Sequence, residues 1–245
     1  MRRKKFQPFK ITFKSFLGIA RIVFEGIVES FLVRRNLKQP KEDLVTELVK
    51  TKAKQTPDSV LKVIDDYGWK KKFLMNIGDV KGEILQKKIQ EKKPKNVLEL
   101  GIYLGYSSIS ICKNLNNEGF LTSIEINPKF KDLALKNITH AKLEHKIEIK
   151  VGKASEVIPS LTDKFDFVFI DHWKDSYLSD LRLLEKEKKL NKGAVIFADN
   201  VVLFHLEEYL TYVRKSKNYD SKFIPTLREY SKTQPDGIEI SIFQG

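Results

Sequence analysis

Residues 165–177, FDFVFIDHWKDSY, combine a run of apolar side chains with several chemically reactive ones. The apolar run is typical of a buried strand, and it ends on Asp171, His172, Trp173 and Lys174. An ordinary connecting loop would favour Gly, Asn, Ser or Pro at these positions. An acid, an imidazole, an indole and an amine in one turn therefore indicate a site that performs chemistry.

Two more oxygen-bearing side chains, Asp199 and Asn200, follow a second apolar run, AVIFA at 194–198. If the two runs are neighbouring strands, Asp171 and Asp199 lie side by side, and adjacent carboxylates repel unless a cation lies between them. Oxygen ligands of this number suit Mg²⁺, whereas His172 has no second His or Cys nearby in sequence to form a transition-metal site. The pattern predicts a magnesium site, with two unrelated strand-end acids as the alternative.

A glycine turn and a further acid predict a second ligand. In ELGIYLGYSS, Gly101 and Gly105 follow an apolar strand and let the main chain approach a ligand at the start of the next helix. Their G-x-x-x-G spacing fits a dinucleotide poorly, which disfavours an NAD-dependent oxidoreductase. Glu125, at the tip of the next predicted strand, is placed to accept hydrogen bonds from ribose hydroxyls. Together they favour a nucleoside, and a plain tight turn with a solvated acid is the alternative.

The elements that must position these residues alternate regularly. After helical segments within 42–92, five predicted strands each precede a helix: 96–100 before 106–115, 120–126 before 129–138, 146–151 before 154–161, 166–170 before 177–186, and 194–198 before 205–216. Five such units in series predict an α/β fold with a doubly wound parallel sheet, in which ligands bind at the carboxyl ends of the strands. Residues 222–227 and 238–243, separated by the turn signal QPDG, predict a closing pair of strands.

Composition limits the class of protein and its compartment. A chain of 245 residues can form one α/β domain, here 42–245. The one cysteine, Cys112, excludes an intramolecular disulfide, indicates a reducing, cytoplasmic compartment and is predicted to be a core residue. Of the net charge of +13, residues 1–41 carry +9, with 11 basic and 2 acidic side chains. Residues 42–245 are therefore only mildly basic, and we expect no nucleic-acid partner for them.

A set of motifs between residues 75 and 243 identifies a family. In order they are MNIGDVKG, LELGIYLGYS, EINP, FIDHWKDSY, LLEK, KGAVIFADNV, YVR and DGIE. In order and spacing they resemble the catechol O-methyltransferase family. The resemblance implies a Rossmann-like class I methyltransferase fold of seven strands, the last antiparallel, with S-adenosylmethionine and Mg²⁺ as cofactors and a small-molecule catechol as substrate.

The resemblance also implies roles for individual residues. Asp171, Asp199 and Asn200 match the Mg²⁺ ligands, Lys174 the general base, and Glu229 the acid that bonds the hydroxyl that is not methylated. The implied contacts of S-adenosylmethionine are Met75, Ile77, Glu99, Gly101, Tyr103, Ser107, Glu125, Ile126, Ser155, Asp171, His172 and Trp173. The expected function is therefore transfer of the methyl group of S-adenosylmethionine to one hydroxyl of a Mg²⁺-bound catechol. The alternative is a non-catalytic, membrane-associated binding or trafficking protein on the same fold.

The expected substrate pocket departs from the family pattern. Phe73 stands where the family has a tryptophan, and Phe204 stands where a proline typically follows the ADN motif. We expect these two rings to form an apolar clamp on the substrate ring. The metal and base positions are intact, whereas the walls of the pocket are altered.

Residues 1–41 form a basic amphipathic arm. Apolar residues recur at a helical period, at Phe13, Phe16, Leu17, Ala20, Phe24, Ile27, Val28 and Phe31. Arg21, Glu25 and Glu29 interrupt them, so that no run reaches the ~18–20 apolar residues of a bilayer-spanning helix. Three interpretations are open: peripheral contact with an anionic membrane through residues 1–35, a cleavable targeting segment, or a helix docked on the body.

Vesicle binding distinguishes these interpretations. If the arm lies on membranes, the full chain should sediment with anionic vesicles, and less so as salt rises, because salt screens the attraction. A chain lacking residues 1–35 should stay in solution and keep its turnover. Equal sedimentation of the two chains would exclude membrane contact through this segment.

Overall fold

The structure, a computed structural model, describes residues 39–245 of the chain. Seven strands of this part form one sheet in the order β3-β2-β1-β4-β5-β7-β6. They are β1 Asn96–Leu100, β2 Phe120–Glu125, β3 Ile147–Val151, β4 Phe165–Ile170, β5 Leu190–Ala198, β6 Tyr219–Leu227 and β7 Pro235–Phe243. β1 to β5 pair in parallel, and β7 runs antiparallel to both β5 and β6. The predicted fold class is confirmed.

Helices cover both faces of this sheet. They are α1 Lys41–Lys52, α2 Pro57–Lys70, α3 Gly78–Lys92, α4 Tyr106–Cys112, α5 Pro128–His140, α6 Ala154–Val157, α7 Tyr177–Lys186 and α8 Glu207–Lys215. One apolar cluster packs α1 to α5 on one face, and a second packs α6 to α8 on the other. Cys112 is fully buried in the first cluster, and burial raises the pKa of its thiol above the ordinary value, as suits a core residue.

Within residues 39–245, no helix is long and apolar enough to cross a bilayer. The predicted basic arm lies outside the described residues, apart from its last three positions. The expected helical stretch 42–69 is two helices, α1 and α2, since Pro57 begins the second at its first turn.

The predicted turn at QPDG is wrong. Pro235, Asp236 and Gly237 belong to β7 and pair with the end of β6, and the connection is the preceding segment 228–234. Gly237 serves packing: a Cβ there would lie 2.2 Å from the ring of Phe223. Pairing with β6 outweighs the preference of these three residues for a turn, and Asp236 therefore lies inside the sheet.

Candidate active site

The carboxyl ends of β1, β4 and β5 form one continuous row. The main-chain N–H of Asp171 donates to Leu100 O at 3.0 Å, and that of Asp199 donates to Ile170 O at 3.1 Å, so the parallel pairing continues one residue past each strand. Asp171 and Asp199 are therefore neighbours at the same edge of the sheet, as the sequence predicted. Asn200 follows with a left-handed main chain, φ 56°.

The glycine turn lies directly beside this row. Gly101 has φ 94°, and a Cβ there would come within 2.9 Å of both Asp171 O and His172 Cα. Only glycine permits the β4 loop to approach the turn this closely. The two predicted ligand sites are thus in contact through their main chains.

Glu125 is fixed by the main chain of the glycine turn. Its Oε2 accepts the N–H groups of Ile102 and Tyr103, each at 3.1 Å, and its Oε1 accepts that of Asn127 at 2.8 Å. The side chain of Tyr103 in turn donates to Glu42 of α1 at 2.7 Å. These bonds hold a carboxylate rigidly at the tip of β2, where a ribose could bond to it.

Glu99 is a buried acid behind the glycine turn. Its Oε2 accepts hydrogen bonds from Ser108 and Ser123, at 2.5 and 2.7 Å; Ser107 also stabilises the carboxylate, but Oε1 receives no well-directed hydrogen bond within residues 39–245. Burial raises the pKa of this carboxyl to about 7. An unpaired buried oxygen beside the turn could accept a hydrogen bond from a bound cofactor.

The other residues expected around the cofactor differ in exposure. Met75, Ile126 and Trp173 are 54, 62 and 75 % exposed and leave apolar surface open around the site. Ser155 is also exposed, and Ser107 is buried at the start of α4. The side chain of Ile77 is fully buried in the apolar core, so any cofactor contact of this residue would come from its main chain.

His172 is held by a carboxylate and an aromatic ring. Its Nε2 lies 2.7 Å from Asp180 Oδ2, and its ring stacks on that of Tyr177 with centroids 5.3 Å apart and an angle of 5° between the planes. This fixes the orientation of the loop that carries Trp173. His172 therefore serves as a rigid part of the wall.

Lys174 joins the two predicted metal ligands. Its Nζ donates to Asp171 Oδ1 at 2.6 Å and to the hydroxyl of Tyr177 at 2.8 Å. Tyr177 donates onward to the carbonyl of Asp199 at 3.2 Å. The same Nζ lies 5.5 Å from the centre of the ring of Phe204, which is half exposed. The amine is therefore positioned between the carboxylates and a wall of the expected pocket.

A buried lysine, Lys81 on α3, organises the acidic residues. Its Nζ contacts Asp199 Oδ1 at 2.7 Å, Glu229 Oε2 at 3.0 Å and Asp236 Oδ2 at 3.0 Å, and its side chain is 1 % exposed. Burial by itself would lower the pKa of this amine, but the charges of the three acids outweigh burial and hold the pKa above its ordinary value. Lys81 is therefore a permanent cation at the centre of the site.

Asn200 completes this cluster. Its Nδ2 donates to Asp236 Oδ2 at 2.8 Å and to Glu229 Oε2 at 3.2 Å. Because the amide nitrogen is bound to carboxylates, the amide oxygen is left for another ligand. Glu229 itself lies in the segment 228–234, where Gly78 allows a close approach: a Cβ at Gly78 would lie 2.8 Å from Glu229 Cβ.

The next residue, Tyr230, anchors the segment 228–234 to the helices. Its hydroxyl donates to Asp65 Oδ1 of α2 at 3.0 Å, and Tyr106 of α4 donates to Asp65 Oδ2 at 2.9 Å. The ring of Trp69 packs edge-on against that of Tyr230, with centroids 5.8 Å apart. Glu229 is thus fixed through its own carboxylate, which contacts Lys81 and Asn200, and through the anchored neighbour Tyr230.

Sequence reasoning missed Lys81 and Asp236 as site residues. Both lie inside motifs of the family, MNIGDVKG and DGIE, but neither has a local pattern that signals burial. A lysine on an amphipathic helix normally lies in solvent, and Asp next to Pro and Gly normally forms a turn.

The oxygen donors suit Mg²⁺. Within residues 39–245, no three acidic, histidine or cysteine side chains are arranged as a metal site, but the expected set has only two carboxylates, Asp171 and Asp199, with an amide oxygen from Asn200. Burial, followed by the charges of Asp171, Asp236 and Glu229, raises the pKa of Asp199 above its ordinary range, although Lys81 opposes this. Such mutual repulsion is what a bound dication would relieve.

Comparisons with known proteins identify the family. The model of the O-methyltransferase family matches residues 49–215. Catechol O-methyltransferase of Mus musculus is 39 % identical over 211 residues, 84 % of this chain and 79 % of that protein. Transmembrane O-methyltransferase of Homo sapiens is 36 % identical over 169 residues, 66 % of this chain and 58 % of that protein. The structure of the O-methyltransferase TomG from Streptomyces achromogenes in complex with SAM superposes with a TM-score of 0.67 at 22 % identity, over 76 % of this chain and 89 % of that one.

The seven-stranded sheet with its row of polar strand ends defines a Rossmann-like, S-adenosylmethionine-dependent methyltransferase. The chain belongs to the catechol O-methyltransferase family. The predicted fold, family and enzyme class are therefore confirmed.

Replacing Lys81 by Met should lower the free energy of unfolding by about 3–5 kcal/mol, because breaking a buried ion pair leaves uncompensated charges. The control is Lys88→Met on the same helix, where the partner Glu91 is exposed, and its effect should be within ~0.5 kcal/mol. Urea unfolding followed by circular dichroism measures both. Similar small effects at the two positions would contradict a central role for Lys81.

Proposed function

We propose that this enzyme transfers the methyl group of S-adenosylmethionine to one hydroxyl of a catechol that is held by Mg²⁺. One observation carries the proposal: Asp171, Lys174, Asp199, Asn200 and Glu229 converge at one edge of the sheet and are linked there by hydrogen bonds. A fold that served only for binding would not require an amine, two carboxylates, an amide and a further acid together.

The cofactor would lie along the tips of β1 and β2. Glu125 would bond the ribose hydroxyls, and the unpaired Oε1 of Glu99, with the main chain of Gly101, would face the methionine part. The exposed side chains of Ile126 and Trp173 would enclose the adenine. When bound, S-adenosylmethionine supplies a methyl group on a sulfonium.

The metal would be held by Asp171, Asp199 and the amide oxygen of Asn200. When bound there, Mg²⁺ would position both catechol oxygens and lower the pKa of the hydroxyl that is methylated. Asn200 is kept in the required orientation because its nitrogen is bound to Asp236 and Glu229.

Lys174 and Glu229 would act on the two hydroxyls. Nζ of Lys174 would take the proton of the reacting hydroxyl, and its hydrogen bond with Tyr177 keeps that atom in place. Glu229, held by Lys81, accepts a hydrogen bond from the second hydroxyl. With both oxygens fixed, the reacting oxygen is aligned for in-line displacement, and alignment supplies much of the rate.

The apolar clamp of Phe73 and Phe204 stays a prediction. Each ring lies beside a cation: Lys174 near Phe204, and Arg228 near Phe73, at 5.5 and 4.5 Å from the ring centres. The clamp would therefore present apolar ring faces with positive charge behind them. For residues 1–35, we propose contact with an anionic membrane surface, which the vesicle experiment above tests.

Metal dependence tests the proposed function. Turnover should occur with catechol but not with phenol, should vanish on addition of EDTA and should return with Mg²⁺, since two adjacent hydroxyls are needed to reach the metal. Asp199→Asn should lose turnover, while calorimetry should still detect binding of S-adenosylmethionine, because the tips of β1 and β2 are unchanged. Full activity in metal-free buffer would refute the metal site.

The base assignment has its own test. Lys174→Met should lower kcat by ~10²–10⁴-fold, the usual scale for a lost general base. Lys174→Arg should not restore it, because guanidinium stays protonated. The control is Lys186→Met at the exposed end of α7, which should keep wild-type turnover. An arginine variant with near wild-type kcat would show that Lys174 acts only as a positive charge.

A further inference from the structure

The guanidinium of Arg228 has fewer hydrogen-bond partners than its position would lead us to expect. It directly precedes Glu229 in the segment 228–234, and its main-chain N–H donates to Gln234 O at 2.9 Å. Its guanidinium carbon lies 4.5 Å from the centre of the ring of Phe73, which we expect to form a wall of the substrate pocket. Arg228 is therefore next in sequence to the acid proposed to bind substrate and in contact with the ring expected to pack on it.

Arg228 is half-buried, and two of the three nitrogens of its guanidinium lack hydrogen-bond partners among the residues that the structure describes. Its Nε and Nη1 atoms are buried, and neither finds a hydrogen-bond partner within residues 39–245. Burying a charged donor without a partner is costly, so buried arginines are normally paired with an acid. Stacking on an aromatic ring offsets only part of such a cost.

The nearest acids are already occupied. The charges of Glu229 and Asp236 act on Arg228, but both side chains are bound to Lys81 and Asn200 and make no ion pair with it. Burial lowers the pKa of the guanidinium below its ordinary value even though these two acids oppose the shift. The guanidinium is therefore not bound directly to an acid in the described part of the chain.

A second cation lies on the same wall. Lys41 Nζ is 5.9 Å from the centre of the ring of Phe73, donates to Phe73 O at 3.0 Å and lies 4.0 Å from Glu42 Oε1, so that Arg228 supplies the charge there that has no acid bound to it within residues 39–245. A substituent that leaves the catechol ring on this side would meet positive charge. An anion is favoured there, and an ammonium group is repelled.

We propose that Arg228 selects catechols that carry a carboxylate, by pairing its guanidinium with the two oxygens of that group at the Phe73 wall. A carboxylate bonds two nitrogens on one edge of a guanidinium, as Glu239 does with Nε and Nη2 of Arg214, so that pairing would satisfy one of the two unbonded nitrogens of Arg228 together with Nη2. This inference rests on the proposed function and adds the class of substrate.

Three catechols of similar size test the proposal: 3,4-dihydroxyphenylacetate, 4-methylcatechol and 3,4-dihydroxyphenethylamine. The wild type should show the highest kcat/KM for the acid and the lowest for the amine. In Arg228→Met, the ratio of kcat/KM for the acid to that for the neutral catechol should fall by about 10- to 100-fold, the scale of a lost hydrogen bond between charged groups. Arg228→Lys should restore the ratio only in part, because an ammonium lacks the paired donors.

The matched control is Lys232→Met, which removes an exposed positive charge from the same segment and should leave the ratio unchanged. The ratio is independent of how much of a variant folds, and if Arg228→Met does not fold, the ratio in Arg228→Lys decides. Calorimetry of the acid in the presence of Mg²⁺ and S-adenosylhomocysteine should show the same loss of affinity.

The outcomes separate the two proposals. No turnover of any catechol by the wild type would refute the proposed function. Turnover of 4-methylcatechol with the same acid-to-neutral ratio in wild type and in Arg228→Met would refute the role of Arg228 alone and indicate that water satisfies the guanidinium. A wild type that prefers the amine would also refute it.

Discussion

The ammonium group of Lys81, buried among Asp199, Glu229 and Asp236, is the interaction on which the site depends. Two carboxylates about 4 Å apart repel by ~4 kcal/mol even at an effective dielectric constant of 20, so three of them cannot share a buried region without a cation. Lys81 comes from α3, and its partners come from the end of β5, the segment 228–234 and β7. One charge therefore joins the proposed metal ligand Asp199 to the proposed substrate-binding acid Glu229.

The order of the strands separates the two ligands. The chain builds β1, β2 and β3 outward in one direction and then places β4 and β5 on the other side of β1. In sheets of this kind, ligands bind at such a reversal, beyond the carboxyl ends of the two central strands. The nucleoside half, with Gly101 and Glu125, lies on one side of it, and the acidic half, with Asp171 and Asp199, lies on the other. The contact between Gly101 and the main chain of Asp171 keeps the two halves together.

Charges are paired differently at the acidic strand ends, here called the floor of the expected pocket, and at Phe73, its wall. The floor holds charges that are paired within the protein, through Lys81, Lys174 and Asn200. Two cations lie at Phe73: Lys41 is paired with Glu42, whereas Nε and Nη1 of Arg228 have no hydrogen-bond partner within residues 39–245. Chemistry on the floor fixes the reaction, whereas an unpaired charge on the wall can select among substrates by their substituents. This is where the chain departs from the family pattern.

The sequence by itself determined the strands, their order of appearance and the polar residues at their ends, because hydrophobic periodicity and strand-end positions are local properties of the chain. It therefore predicted Asp171, Lys174, Asp199, Asn200 and Glu125 at one edge of the sheet. Family motifs added Glu229. Each of these predictions depends on neighbours within a few residues or on a recognised pattern.

Only the tertiary structure decided which charges are paired. Lys81 meets partners 118, 148 and 155 residues away, and no local pattern records such contacts. Asp236 joined a strand because pairing with β6 outweighed the turn preference of Pro-Asp-Gly. The isolation of Arg228 likewise depends on Glu229 and Asp236 being occupied elsewhere. Burial and pairing of charge are settled by distant parts of the chain, since the cost of an unpaired charge arises only when packing removes water.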